Sequence, residues 1–476
     1  MSDSAEDGAV RAGLHEVGRR VAQELRLAPE EPDAVVRPAR LPNWRSALPV
    51  GALAMDSVAL ASLAIALSSH DGERARAATR VEVDPVRVQA SFGSDRVLRV
   101  DGEAPTVWAP LSGFWRVADG WVRTHGNYPH HARRLVALLG LPPDADRDRF
   151  QTALRERSRF ELEDGAAAGG ALVLAVRTPH EWREHPQHPH IDGAPLVLLR
   201  DRDGAPPRPM RPRGARPLSG LRVLDLTRVI AGPVATRDLA LAGADVLRVD
   251  SPRLPEPSWQ HFDTGQGKRS TLLDLDVAAE RQRLDDLLAD ADVVVHGYRP
   301  GALAKYGLDA GTLHERHPGI IVAQLSAWGT DGPWGRRRGF DSLVQAASGI
   351  AMRESRDGGE TPGALPVQAL DHSAGHFLAA AIATAVRRQR HDGGSYEVQI
   401  SLAGVAHALL AARDAPDSAS DDGAALPTVS VPVAADGAPA SGVVECAPPV
   451  LAYPDAPADY PQAIHPWGTD RPVWAS

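Results

Sequence analysis

Between residues 217 and 412 the apolar positions follow two alternating periods. Leu221–Leu226 and Ala244–Asp250 are short β-branched apolar runs, and the stretch between them, 235–242, has its apolar residues at helical spacing. Parallel strands buried on both faces need such a helical crossover, so the pattern predicts a βαβ unit, with strands beginning near Leu221, Asp245 and Val293. The first turn, Thr227–Pro233, places backbone amides and Arg228 where a strand hands over to a helix, a position suited to a phosphate-bearing ligand. It is not a GxGxxG turn, so a nicotinamide or flavin reading loses its main support. Further on, the extended segment 364–370 leads into an apolar helix expected over His376–Arg387, with Asp371 standing just before it. On pattern alone Asp371 reads first as a helix N-cap.

The amino-terminal half has its own pattern. Residues 111–128 read as two short strands joined at the Asp119–Gly120 turn, followed by amphipathic helices over His130–Leu139 and Asp148–Arg157. The Pro/Arg/Gly stretch Asp203–Arg216 reads as a linker. This gives a polar segment over 1–44, a small α/β domain over 45–202, a linker over 203–216, a larger α/β domain over 217–412 and an irregular Pro/Ala-rich tail over 413–476, read as wrapping a partner surface through Trp467 and Trp474. There is also an internal echo: LPVGALAMDSVALASLAIALSSHDG (48–72) parallels LPVQALDHSAGHFLAAAIATAVRRQRHDGG (365–394), with Asp56 opposite Asp371.

Composition narrows the class. A chain of 476 residues exceeds what one core usually serves, and 43 % hydrophobic with 24 % charged residues is that of a globular protein. A net charge of −9 argues against nucleic acid as a partner. Cys446 is the only cysteine, which excludes an intrachain disulfide and a cysteine metal cluster and makes a reducing cytoplasm the simplest setting. The start, MSDSAEDGAVRAG, is acidic where a signal peptide is basic. The apolar stretches near Val58–Leu67 and Phe377–Val386 look too short to span a bilayer, so no membrane partner is expected. HPQHPH (185–190) lacks i,i+4 histidine spacing and an evident acidic partner, so no metal is expected; Ser326 and Ser401 lack a G-x-S-x-G elbow.

PLSGLRVLDLTRVIAGPVATRDLALAGADVLRVDSP, GQGKRSTLLDL, ADVVVHGYRPGAL, GRRRGFDSLVQAASGIA and LDHSAG, in that order from Pro217 to Gly375, resemble the family III CoA-transferases, the group that also holds α-methylacyl-CoA racemases. The resemblance implies an open parallel-sheet, Rossmann-like domain with a second, smaller α/β domain, and an interlocked homodimer. It implies coenzyme A or acyl-CoA as substrate, with no permanently bound cofactor, and Asp371 as the nucleophile that passes CoA between carboxylic acids. A helix start is expected to keep Asp371 ionised. The resemblance also implies CoA contacts from Arg228, Ile230, Ala231, Lys268, Arg269, Tyr298, Arg299, Lys305, Phe340 and Asp341. The two lysines on this list are the only lysines in the chain.

The order of parts, back half before front half, implies a permuted or fused chain. Phe340 stands where the racemases carry a histidine base, which disfavours racemisation. His296–Gly297–Tyr298 replaces the family's Glu-Asn-Phe, and no run of glycines matches the loop that covers the nucleophile in formyl-CoA transferase. A non-catalytic acyl-CoA-binding protein is the alternative from another class.

Overall fold

A computed structural model describes residues 11–38, 40–69, 79–202, 204–209, 211, 214–418, 425–434 and 442–475. The acidic start 1–10, residues 70–72 of the echo, and parts of the linker and tail lie outside the described residues.

The central sheet has seven strands: β1 (Val197–Asp201), β2 (Arg222–Leu226), β3 (Asp245–Asp250), β4 (Lys268–Leu272), β5 (Val293–His296), β6 (Ile321–Ser326) and β7 (Tyr396–Ser401). Their spatial order is β4-β3-β2-β5-β6-β7-β1. The pairs from β4 through β7 are all parallel, and β1 closes the edge antiparallel to β7. The six parallel strands thus have the doubly wound order, in which the chain reverses direction between β2 and β5.

Alternation along the strands decides the layers. Val223, Val246, Val293, Val295 and Ile321 pack into one core, whereas Leu224, Leu226, Leu247, Val249, Val294 and Val322 pack into a second on the opposite face. The helix Ala278–Asp290 covers the second face through Leu284, Leu287 and Leu288. The first face is covered by α1 (Val50–Leu67), α2 (Ala231–Leu241) and α3 (Ala369–Asp392). Every residue of α1 is buried. By length and composition α1 is apolar enough to cross a membrane, which corrects the reading of that stretch as too short; here it packs against α3 inside the protein.

This packing redraws two expected boundaries. Helix α1 and strand β1 fall within the expected 45–202 unit, yet both are part of the core built on the large sheet. Their apolar surfaces have no equivalent shelter in the small sheet. That sheet pairs Gly113–Val117, Gly120–Thr124 and Val173–Ala175 and has its own core around Trp115, Leu135 and Phe150. The hairpin is present, with Val117 paired to Gly120 across Ala118–Asp119. The tail also has regular structure: Val429–Pro432 pairs with Val443–Cys446, which pairs with Arg99–Val100. Trp467 donates to Asp250 at 3.0 Å and Trp474 to the Leu287 carbonyl at 3.1 Å, so both tryptophans bind the chain's own surface. The polar segment 1–44 includes a helix, Glu16–Glu24, that buries Val17 and Val21.

Gly375 fixes how closely α3 approaches α2. A Cβ there would meet the Ala231 carbonyl oxygen at 2.5 Å and Val234 Cβ at 2.8 Å. Backbone cannot yield as a flexible side-chain tip can, so Gly375→Ala is expected to cost about 1–3 kcal/mol of unfolding free energy, as overpacked cores do. Urea denaturation of the two proteins side by side reads this directly.

Candidate active site

Asp225, at the end of β2, fixes the first strand–helix turn. It is fully buried and accepts from Thr227 N (2.8 Å) and Thr227 Oγ1 (2.5 Å) through one oxygen, and from Thr236 Oγ1 (2.6 Å) through the other. Lys268 lies 3.4 Å from the same carboxylate and donates to the Pro233 carbonyl at 2.7 Å. Burial holds its ammonium down at about 8, against the pull of Asp225. Val229, two residues past Thr227, has φ +74°, a rare conformation for a β-branched residue. Its amide donates to Glu256 at 2.7 Å, and Glu256 in turn pairs with the buried Arg248. The strained turn is therefore held from below by buried ion pairs.

The helix that follows β6, Asp341–Ser348, orients the second part of the site. Asp341 accepts from the amides of Leu370 and Asp371, at 2.9 and 3.0 Å, through one oxygen, and from Gln345 at 2.5 Å through the other. It thereby caps α3, which begins at Ala369, seven residues before the expected start. Asp371 lies in the first turn of that helix and does not stand before it as an N-cap. Among the described residues its carboxylate accepts no hydrogen bond. Burial, reinforced by the nearby Asp341 charge, pushes the Asp371 carboxyl well up. Burial also raises Asp341, to about 6. Sequence led to the expectation that the helix start keeps Asp371 ionised; the shift runs the other way, because desolvation and a like charge outweigh the helix start.

Asp371 opens onto a cleft of about 370 Å³ at the carboxyl ends of β2, β5 and β6, the crevice where open α/β sheets place ligands. Arg228, Ile230, Ala231, Tyr298, Arg299 and Phe340 line it as expected. Asp341 lines a smaller chamber that shares Asp371 with the cleft. The other three expected contacts lie elsewhere. Lys268 faces Asp225 inside the core, Arg269 pairs with Asp245 at 2.7 Å, and the exposed Lys305 pairs with Asp276 at 3.2 Å. Residues on β4 lie at the sheet edge, two strands from the switch point, so their carboxylate partners are local.

Other cations take their place. Arg337 and Arg338 line the cleft beside Arg299. Arg338 is held below its usual value by burial and then by Arg299 and Arg134, a crowding that a bound anion would relieve. Arg228 Nε and Nη2 are buried without a hydrogen-bond partner, although Asp250 lies 3.9 Å from Nε. The amino-terminal half contributes Tyr128, His130 and His131, with the Arg228 guanidinium 5.2 Å from the Tyr128 ring centre. Sequence reading passed over these residues. The arginines of GRRRGFD stood inside a quoted motif, whereas nothing in the sequence linked HGNYPHH to the cleft.

Phe340 stacks face to face on His125, ring centres 3.8 Å apart. Burial, with the neighbouring His131 and Arg123, holds His125 down at about 3. His376 is bound to Asp238 at 2.6 Å, and both His372 and His376 stack on Phe92. Outside the cleft, His188, Asp192 and His407 bring ligand atoms within 4.8 Å of one another. The short helix His188–Asp192 thus supplies the acidic neighbour that the sequence did not reveal, with His407 Nε2 3.3 Å from Asp192.

The fold is a doubly wound α/β sheet with an arginine-lined cleft and a buried carboxylate at its switch point, an arrangement suited to an anionic ligand. Residues 218–448 match the model of CoA-transferase family III. It is 39 % identical over 322 residues to an acetyl-coenzyme A transferase, nodX, of Hypoxylon pulicicidum, covering 62 % of this chain and 53 % of that protein. It is 31 % identical over 218 residues to a succinate–glutarate CoA-transferase of Agrobacterium fabrum, covering 42 % of this chain and 54 % of the relative. A crystal structure of the hypothetical protein Rv3272 from Mycobacterium tuberculosis is 36 % identical, with a TM-score of 0.39, over 42 % of this chain and 57 % of that one. The chain spans about half the length of the curated relatives it matches.

The raised Asp371 carboxyl has a stability consequence. A carboxyl whose folded value lies above its unfolded one stabilises the fold fully below the unfolded value of about 3.9, and that contribution is lost as pH rises through the folded value. Asp371→Asn removes an ionisation that the fold resists. The variant is therefore expected to melt above the wild type at pH 8, and the gap should narrow as pH falls toward 4. Melting scans across that range check the sign.

Proposed function

We propose that this protein transfers CoA between carboxylic acids, with Asp371 as nucleophile. The observation that carries the reading is a single buried carboxylate, free of hydrogen bonds among the described residues, at the inner end of a cleft lined by Arg228, Arg299, Arg337 and Arg338. Support comes from the family match and from relatives named as CoA-transferases.

The steps balance on one carboxylate. Ionised Asp371 attacks the acyl-CoA carbonyl, forming an acyl-aspartyl anhydride and expelling the CoA thiolate. The thiolate attacks the aspartyl carbonyl, giving an aspartyl-CoA thioester and releasing the first carboxylate. The second carboxylate attacks that thioester, and the returning thiolate takes the new acyl group, regenerating Asp371. Burial without hydrogen bonds leaves the ionised carboxylate poorly solvated and reactive. The same burial, with Asp341 nearby, raises the proton affinity of the carboxyl.

A racemase needs a base on the α-carbon. Phe340 transfers no proton, and His125 behind it, held near 3, is a weak base. The proposal includes acyl-CoA and carboxylic acids as partners, no permanently bound cofactor, a cytoplasmic setting and, from the same resemblance, an interlocked homodimer. It also includes the permuted or fused order: α1 is followed by a strand at Val81–Glu82 and a helix at Pro85–Phe92, just as α3 is followed by β7 and the helix Leu402–Ala411.

Two experiments test this function. Incubation with acyl-CoA is expected to leave an adduct on Asp371 that hydroxylamine captures and mass spectrometry locates. Solvent deuterium at the substrate α-carbon with no adduct would instead establish a racemase, and neither signal would leave a binding protein. Separately, Arg228→Ala should weaken CoA binding roughly 10- to 100-fold, the ~1.5–3 kcal/mol of a hydrogen bond to a charged group. Lys305→Ala should change it less than about threefold, as surface substitutions do. Calorimetric titration with CoA separates the two.

A further inference from the structure

We propose that the chamber behind Asp371 receives a short acyl group carrying a hydroxyl, an inference that rests on the transferase reading above. The chamber measures about 40 Å³ and shares Val229, Ile230, Phe340 and Asp371 with the cationic cleft, so the nucleophile stands between them. A group attached to the carbonyl that Asp371 attacks, with CoA in the cleft, would extend into this chamber.

Four buried polar atoms in the residues that line it have no partner: His125 Nδ1, Asp263 Oδ1, Ser342 Oγ and His372 Nδ1. Their residues are 3–7 % exposed. Protein interiors pair such groups almost without exception, and four around one small space mark a place that a polar occupant completes. Asp263 is half satisfied already: its Oδ2 accepts from Ser94 at 2.8 Å, which leaves Oδ1 open. A hydroxyl can donate to that oxygen and accept from Ser342, which an alkyl group cannot.

Size and charge bound the rest. A water needs roughly 10–15 Å³ of such space, so the chamber takes about three groups of that size. That suits two or three heavy atoms beyond the thioester carbon. Trp108, Trp259 and Phe92 supply apolar wall for the carbon atoms. Asp95, Asp263 and Asp341 face the same space, and burial raises all three, so a second substrate carboxylate meets groups that already resist charge. The chamber therefore selects a short hydroxy acid over a dicarboxylate.

The test compares four thioesters, lactoyl-, propionyl-, succinyl- and decanoyl-CoA, by the rate at which each acylates Asp371 in the full-length protein. Lactoyl-CoA is expected to lead by at least tenfold in kcat/KM. Asp263→Asn and Ser342→Ala should each reduce the lactoyl-to-propionyl ratio, a readout internal to each variant that a general loss of stability does not move. Equal rates for lactoyl- and propionyl-CoA would mean a water-filled chamber only and would overturn the inference, as would preference for succinyl- or decanoyl-CoA. In all three cases the adduct on Asp371 would leave the transferase reading standing. No adduct from any thioester would overturn both.

Discussion

Everything at the site depends on one carboxylate receiving two amides. Asp341 accepts from Leu370 and Asp371, at 2.9 and 3.0 Å, and thereby starts a 24-residue helix at the switch point of the sheet. A capping carboxylate stabilises a helix start through the unpaired amides and the dipole. Here it also places a second negative group beside the first. The interaction that positions Asp371 is therefore also part of what raises its proton affinity. Structural order and chemical reactivity come from the same contact.

Gly375 and Asp225 carry that arrangement into the fold. Gly375, one turn beyond Asp371, brings α3 onto the Ala231 carbonyl, so the helix that carries Asp371 and the helix after the first turn meet backbone to side-chain-free backbone. Asp225 fixes the other end of the contact by tying Thr227 and Thr236 together across the turn. Gly232 is needed for the same reason, since a Cβ there would lie 2.3 Å from Thr227 Cβ. Three short-range constraints thus bring the strained residue Val229, the cation Arg228 and the carboxylate of Asp371 to one cleft.

The parallel strands of the sheet were legible because strands buried on both faces read as β-branched runs, and the pattern around 221–250 allows little else. Arg228, Ile230, Ala231, Tyr298, Arg299, Phe340 and Asp371 were legible because they follow strand ends or a helix start, where chain direction fixes which way they face. Lys268, Arg269 and Lys305 were misplaced for a physical reason: charge and motif order do not show whether an acid on a neighbouring strand has already claimed a cation. Lys268 meets Asp225, Arg269 meets Asp245 and Lys305 meets Asp276, and none of these pairings leaves a local sequence signal. Tyr128, His130 and His131 were invisible because they reach the cleft from more than 90 residues away. The 45–202 boundary failed similarly, since the main shelter of α1 is α3, far along the chain.

The packing of α1 against α3 gives the echo between 48–72 and 365–394 a physical meaning. Two helices buried on all sides over most of their length cannot stand at a surface, and each is the main shelter of the other. Their acids differ in surroundings. Asp56 accepts from the amides of His15 and Gly18, at 2.8 and 2.7 Å, and from the His15 ring at 3.0 Å. Asp371 accepts nothing among the described residues. The same helix pattern, used twice in one chain, carries an acid held by three donors in one copy and an acid that accepts none among the described residues in the other, and the difference lies in the amides and the imidazole supplied by residues 15–18.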